Sequence, residues 1–201
     1  MNKGRTSPFF AYIGRLRWIR RWGLMRNAIE EDVATHSWEV AVLAHGLAVI
    51  RNAQFGGAVN PERVATAALY HDAAEVITGD MPTPIKYHSA VMREAFGDIE
   101  HKAQSELLAL LPAELKAHFS PCLREEEWDE DTRVLVKAAD RLAAYLKCEA
   151  EIRAGNREFE QAGEQILKRL QQDALPEVTY FLEVFAPDYG ASLDNLLART
   201  D

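Results

Sequence analysis

Apolar residues recur at intervals of three and four along almost the whole of this chain, while the strict alternation of a half-buried strand is scarce. That period constrains the fold more than any other feature. Phe9, Ile13, Leu16 and Ile19 share the spacing and predict a first helix ending near Gly23. Thr35 or Ser37 can cap a second helix, from about His36 to Gln54, which Phe55-Gly56-Gly57 ends. Asn60-Pro61 pairs a capping residue with proline at the first helical position, and that third helix is expected to run to Thr78, where Gly79 stops it. The two prolines of Asp80-Met81-Pro82-Thr83-Pro84 require a loop. Further helices are predicted from about Ser89 to Leu111, Ala113 to Phe119, Asp129 or Asp131 to Gly155-Asn156, Phe159 to Gln172, and Pro176 to Phe185. The fold class is all-α. With no linker-like segment, residues 1–201 read as one compact helical domain.

Composition narrows the function classes. A chain of 201 residues, 48% hydrophobic, can bury a core without staples. Cys122 and Cys148 lie far apart and form no C-x-x-C, which argues against a disulfide framework or a cysteine zinc site and fits a reducing, cytoplasmic setting. No apolar run approaches the length of a membrane span, and Met1 to Pro8 lacks a signal-peptide core, so no membrane partner is expected. A net charge of -8 argues against a nucleic-acid polymer as partner. The charge is uneven: Met1 to Asn27 holds seven basic residues and no acidic one. That stretch can be a transit peptide, a helix with a solvated basic face, or a local field that attracts an anion.

Ionisable residues in apolar surroundings mark a candidate site. His71-Asp72 follows Ala67, Ala68 and Leu69, and is expected in mid-helix. There Asp72 lies about 100° around from His71, and Glu75 returns to about 40° from it, one turn up. Burying all three in one sector is costly unless something compensates them, and a divalent cation does so. His36 begins the preceding helix, and Asp140 ends the apolar run Val134 to Ala139. Two imidazoles and two carboxylates from three helices make a mixed nitrogen and oxygen site, suited to Mn, Co, Fe, Ni, Zn or Mg. Bland readings stand beside this one: a lone histidine is usually structural, and Asp140 can pair with Lys137 or Arg141. His45 falls about 180° around the helix from His36 and cannot join it, so one ion is expected. Asp80, just past the helix end, is a further candidate or simply a loop cap.

The order H…HD…D on helices resembles the HD-domain superfamily of metal-dependent phosphohydrolases. The stretches RRWGLMRN (Arg20 to Asn27), HSWEVAVLAH (His36 to His45), HDAAEVITGDMPTPIKY (His71 to Tyr87) and VKAADRLAAYLKC (Val136 to Cys148), with Tyr180-Phe181, resemble the bacterial HD-domain 5'-deoxynucleotidases over nearly the whole chain. The resemblance implies that His36, His71, Asp72 and Asp140 hold one divalent ion, Co or Mn or similar. It implies that Glu75 and Asp80 are catalytic, that Arg21 contacts phosphate, and that Trp22 shapes the sugar pocket against a 2'-hydroxyl. It places Thr83 and Pro84 in the substrate loop. The implied substrate is a deoxyribonucleoside 5'-monophosphate, and the implied assembly a homodimer. Another HD-type nucleotide pyrophosphohydrolase is an alternative, as is a non-catalytic helical module for ligand binding or dimerisation. No histidine follows His71-Asp72 in the next turn, and Val76 follows Glu75, which favours a monophosphate.

Overall fold

The computed structural model describes residues 6–198, and among them the only β pairing is an isolated antiparallel bridge between Arg20 and Asp32. The helices in chain order are α1 (Phe9–Ile13), α2 (Val33–Phe55), α3 (Pro61–Tyr70), α4 (Glu75–Thr78), α5 (Thr83–Lys86), α6 (Ala90–Ala109), α7 (Ala113–Leu123), α8 (Glu130–Arg153), α9 (Glu160–Asp173), α10 (Pro176–Val184) and α11 (Leu193–Leu197). Side chains cap several starts: Asp32, Asn60, Ser89 and Asp129 accept from the amides of Thr35, Arg63, Met92 and Thr132. Gly56, at φ 68, ends α2 in the left-handed region that glycine enters at no steric cost.

Helix α2 is the spine. It buries Val33, His36, Ser37, Val40, Leu43, Ala44, Leu47, Ala48 and Ile50 along one stripe. Against that stripe lie Val64, Ala67 and Ala68 of α3, Leu135, Ala139 and Leu142 of α8, and Val178 and Phe181 of α10. By length and mean hydropathy α2 would suffice to cross a membrane, so the expectation that no apolar run approaches a span is corrected. One face of it is instead the middle of the protein's own core, while Trp38, Val42 and Val49 on the other stand exposed. A second cluster packs Phe9 of α1 with Ala73, Leu107, Leu108, Leu111 and Leu123.

Four sequence expectations change. Thr83 and Pro84, expected in a loop, open α5, where proline in the first turn is tolerated. The first helix does not reach Gly23. Past Ile13 the chain tightens into a 3-10 turn, Gly14–Trp18, and Ile19 turns extended at φ -96, ψ 111, so that Arg20 can pair with Asp32. The second helix starts at Val33, capped by Asp32 rather than Thr35 or Ser37. The third helix stops at Tyr70, so His71 and Asp72 stand in a corner and not in mid-helix. The His71 amide and its Nδ1–H both donate to the Ala68 carbonyl, at 3.3 and 2.7 Å, which takes the acceptor that the Asp72 amide would use in an α-helix. The next amides, of Ala73, Glu75 and Val76, each reach back three residues in 3-10 fashion.

Candidate functional site

The corner, the first turn of α2 and the middle of α8 converge. His36, His71 and Asp72 offer ligand atoms that all lie within 4.8 Å of one another. Asp140 adds a fourth, its Oδ1 being 3.1 Å from His36 Nε2 and 4.0 Å from His71 Nε2. Asp72 Oδ2 stands 3.1 Å from His71 Nε2 and 3.6 Å from His36 Nε2. The bland alternative for Asp140 is removed, because Lys137 pairs with Glu125 and Arg141 with Asp173. Exposure grades across the cluster: the His36 side chain is 1% exposed and that of Asp140 43%, so the nitrogen side is sealed and the Asp140 side opens to solvent.

These four residues fit a divalent cation. The Nε2 atoms of His36 and His71 are buried without a hydrogen-bond partner. The Nδ1 of His71 is committed to Ala68, which leaves its Nε2 lone pair facing the cluster. Burial alone would depress the His71 pKa, yet the Asp72 carboxylate outweighs it and lifts it to about 9. Burial likewise pushes Asp72 and Asp140 upward, but the imidazoles prevail and hold both carboxyls below the usual carboxylate range. Partly buried carboxylates that stay ionised beside buried imidazole nitrogens could hold a metal of mixed nitrogen and oxygen preference.

Around this cluster stand the other expected residues. Glu75 opens α4, three residues past Asp72, and its Oε2 is buried and unpartnered. Burial, with Asp72 and Asp80 nearby, pushes its carboxyl up to about 10. Burial also raises Asp80, against the nearby Arg21 guanidinium, which draws it down. Arg21 donates from Nη1 to Asp72 Oδ2 at 3.3 Å and from Nε to Glu31 Oε2 at 3.0 Å. Trp22 donates from Nε1 to the same Glu31 oxygen at 2.9 Å and packs its ring 5.3 Å from that of Phe159. Arg21 and Trp22 are therefore not on a helix. They sit on an irregular strap, residues 20–32, and Trp22 has φ 59. Thr83 and Pro84 stand exposed at the start of α5, outside the buried cluster.

Sequence reasoning missed the residues that hold the strap. Glu31 is one. Glu151 of α8 is another: its carboxylate accepts from the Ala28 and Ile29 amides at 2.9 Å each, and pairs with Lys147. The acidic run Glu30-Glu31-Asp32, just after an acid-free basic segment, was the available signal. Arg20 pairs with Glu30 and Arg26 with Glu158, so much of the basic field expected at the start of the chain is neutralised locally. Lys86, also unforeseen, donates to Glu100 Oε1 at 2.7 Å and lies over the Phe96 ring. A cavity of about 330 Å³ on the outer side of the strap is lined by Arg17, Trp18, Arg20, Glu30, Glu31 and Asp32. A larger one, about 400 Å³, lies between α6 and α7, lined by Ser105, Leu108, Lys116, Ser120 and Arg124 among others.

Known proteins resemble this chain in sequence and in fold. The family model described as YfbR-like, 5'-deoxynucleotidase YfbR-like, matches residues 8–189. A protein of Cronobacter sakazakii named 5'-deoxynucleotidase is 50% identical over 190 residues, covering 94% of this chain and 96% of its own. One of Erwinia tasmaniensis with the same name is 48% identical with the same coverage. Among solved structures, an HD-domain phosphohydrolase from Listeria innocua superposes with a TM-score of 0.79 at 25% identity, over 92% of this chain and 89% of its own. The cyanophage S-2L HD phosphohydrolase DatZ, described as bound to dA and one catalytic Zn2+ ion, has a TM-score of 0.66 at 20% identity, over 94% of this chain and 99% of its own.

Proposed function

The chain belongs to the YfbR-like 5'-deoxynucleotidase family, and from that premise we propose that it hydrolyses deoxyribonucleoside 5'-monophosphates to deoxyribonucleosides and phosphate. In this reading His36, His71, Asp72 and Asp140 hold one divalent ion per chain, cobalt or manganese. The observation that carries it is the pair of buried, unpartnered Nε2 atoms facing two carboxylates, with a guanidinium at 3.3 Å. The free thiols of Cys122 and Cys148 accord with a cytoplasmic setting. The exposed Trp38, Val42 and Val49 on α2 accord with a homodimer.

A divalent ion bound there supplies charge for a phosphate oxygen and acidifies water. The chain's own groups do the rest. Arg21, fixed by Glu31 and Asp72, turns its remaining N–H donors to the phosphate as a planar fork. Glu75 Oε2 takes a proton from the attacking water once a cation held by the neighbouring ligands offsets the burial and the Asp72 and Asp80 charges that otherwise keep its carboxyl protonated. As the P–O5' bond breaks, the departing 5'-oxygen receives the proton that Glu75 took from the water, which returns Glu75 to its starting state. Asp80, on the loop after α4 and close to Arg21 and the Trp22 backbone, helps keep phosphate and sugar contacts in register. Thr83 and Pro84 form the outer wall of the substrate loop.

Sugar selectivity comes from Trp22. Its only donor is already given to Glu31, so an indole edge against C2' offers a ribonucleotide hydroxyl neither donor nor acceptor. Leaving that hydroxyl unpaired costs about 1–3 kcal/mol, roughly one to two decades of selectivity. The test is a panel of deoxy- and ribonucleoside 5'-monophosphates across divalent metals, read as released phosphate. Fast dAMP and slow AMP turnover is expected. Release of pyrophosphate from triphosphates, with no monophosphate turnover, would replace this reading by the pyrophosphohydrolase one.

A further inference from the structure

We propose that Glu31 is the positioning residue that sets Arg21 and Trp22 for substrate, so that phosphate affinity and sugar selectivity both depend on one buried carboxylate oxygen. The proposal rests on the reading of Arg21 and Trp22 as substrate contacts. Its ground is geometric. A single atom, Glu31 Oε2, accepts from Arg21 Nε at 3.0 Å and from Trp22 Nε1 at 2.9 Å, and the Glu31 side chain is only 7% exposed. The same residue also acts through its backbone, its carbonyl accepting from the Arg21 amide at 3.0 Å. Ile19 and Val33 close the neighbouring pair at 3.0 Å, so Glu31 lies directly across the strap from the residues it orients.

Two features show why such a device is needed. Trp22 lies at φ 59, a region that a tryptophan seldom enters and that persists only where the surroundings over-determine it. Its indole N–H bond to Glu31 and its ring contact with Phe159 supply two separate restraints. Arg21, in turn, is drawn toward Asp72 at 3.3 Å. With no counter-anchor at Nε, the guanidinium would be free to close on the Asp72 carboxylate. Glu31 holds the opposite edge, spans the fork between two carboxylates and keeps its remaining donors available. An ion pair that merely stabilised the fold would need only one of these partners. A shared oxygen couples the group that grips phosphate to the group that faces the sugar.

The experiment compares the metal-loaded unmodified enzyme with Glu31→Ala and Glu31→Gln. In Glu31→Ala, KM for dAMP should rise about ten- to hundredfold, kcat should move much less, and the dAMP-to-AMP ratio of kcat/KM should fall by roughly fivefold or more. Since one oxygen accepts both bonds, the amide oxygen of Glu31→Gln should recover most of the loss. Bound metal should be equal in all three. An activity-free readout is the indole 15N–1H resonance of Trp22, identified by its disappearance in Trp22→Phe. It should shift in Glu31→Gln and move to a solvent-like position in Glu31→Ala. KM and the selectivity ratio both within twofold of the unmodified enzyme in Glu31→Ala, or an unmoved indole resonance in either variant, would overturn the proposal. If Glu31→Ala does not fold, the resonance in Glu31→Gln decides alone. Equal turnover of AMP and dAMP by the unmodified enzyme would instead remove the sugar reading, and KM with the indole resonance would then judge Glu31.

Discussion

The corner after α3 and the strap before α2 supply opposite walls of one site, and they are built by different physics. The corner, Tyr70 to Gly79, is seated on apolar packing: Ala73 is buried against the cluster of Leu107, Leu108 and Phe9, and Ala74 is buried beside it. The strap, residues 20–32, has few buried apolar residues, and two acidic side chains hold it, Glu31 from within and Glu151 from α8. Packing fixes where the proposed metal ligands stand. Directional hydrogen bonds fix where the proposed substrate contacts point. Apolar packing does not titrate, whereas the Glu151 anchor of the strap does.

Breaking the corner should cost the most. Asp140→Ala is expected to abolish metal retention and lower activity by about a thousandfold or more, with the strap intact. Metal analysis beside a turnover assay checks this, and a fully loaded but inactive protein would show that Asp140 is no ligand.

Glu75→Gln should reduce kcat by about a hundredfold to ten-thousandfold while metal stays bound. The same change carries a stability signature. The Glu75 carboxyl moves from 4.5 to about 10 on folding, so its contribution is fully present below pH 4.5 and is lost as pH rises toward 10. Metal-free Glu75→Gln should therefore gain on the unmodified protein, by about 1–3 kcal/mol at alkaline pH and by little near pH 4. Denaturant melts at several pH values measure that gap, and a gap that shrinks with rising pH would contradict it.

The support beneath the corner is the next target. Leu107→Ala, a fully buried side chain, should cost about 2–5 kcal/mol of stability and leave the dAMP-to-AMP ratio unchanged in the folded fraction. Thermal melts and kinetics on one preparation separate the two. Loss of selectivity there would mean that the walls are not independent.

The smallest expected effect lies in the strap's outer anchor. Burial raises the Glu151 carboxyl, but Lys147, Asn156 and the Ile29 and Ala28 amides outweigh it and bring it down to about 2. The stability it provides is present above its ordinary value of 4.5 and is lost as pH falls toward 2. Protection of the Ala28 and Ile29 amides, corrected for intrinsic exchange, should decline across that window before any protection is lost in α2. Simultaneous loss in both places would show one cooperative unit rather than two.

Most helices were legible because their signals are local. Asn60-Pro61, Gly56 and the stripe through Leu43 and Leu47 announce their roles within a few residues. The four proposed ligands were legible because ionisable groups in apolar runs are conspicuous, and the fold brings them together. The strap was not legible. Nothing in Arg20-Arg21-Trp22 signals that a carboxylate ten residues on will pull Arg21 out of a helix, since a hydrogen bond across a loop has no period. The break at His71 was hidden for a related reason: whether a side chain or an amide takes the Ala68 carbonyl depends on what the other face of the ring meets.

His36 and Asp140 stand more than half the chain apart, with the corner between them. Until α2, α3 and α8 have all docked, the four side chains do not share a neighbourhood, and closing loops of that size carries a large entropic cost. A nascent or partly folded chain therefore offers an ion only scattered, weak donors. On the proposed ligand set the finished molecule alone would capture one, and capture would then shift the equilibrium further toward it, by about 4 kcal/mol when free ion stands a thousandfold above its dissociation constant. Occupancy becomes a certificate of completed folding, and a cell short of the ion holds both less active enzyme and a less durable one.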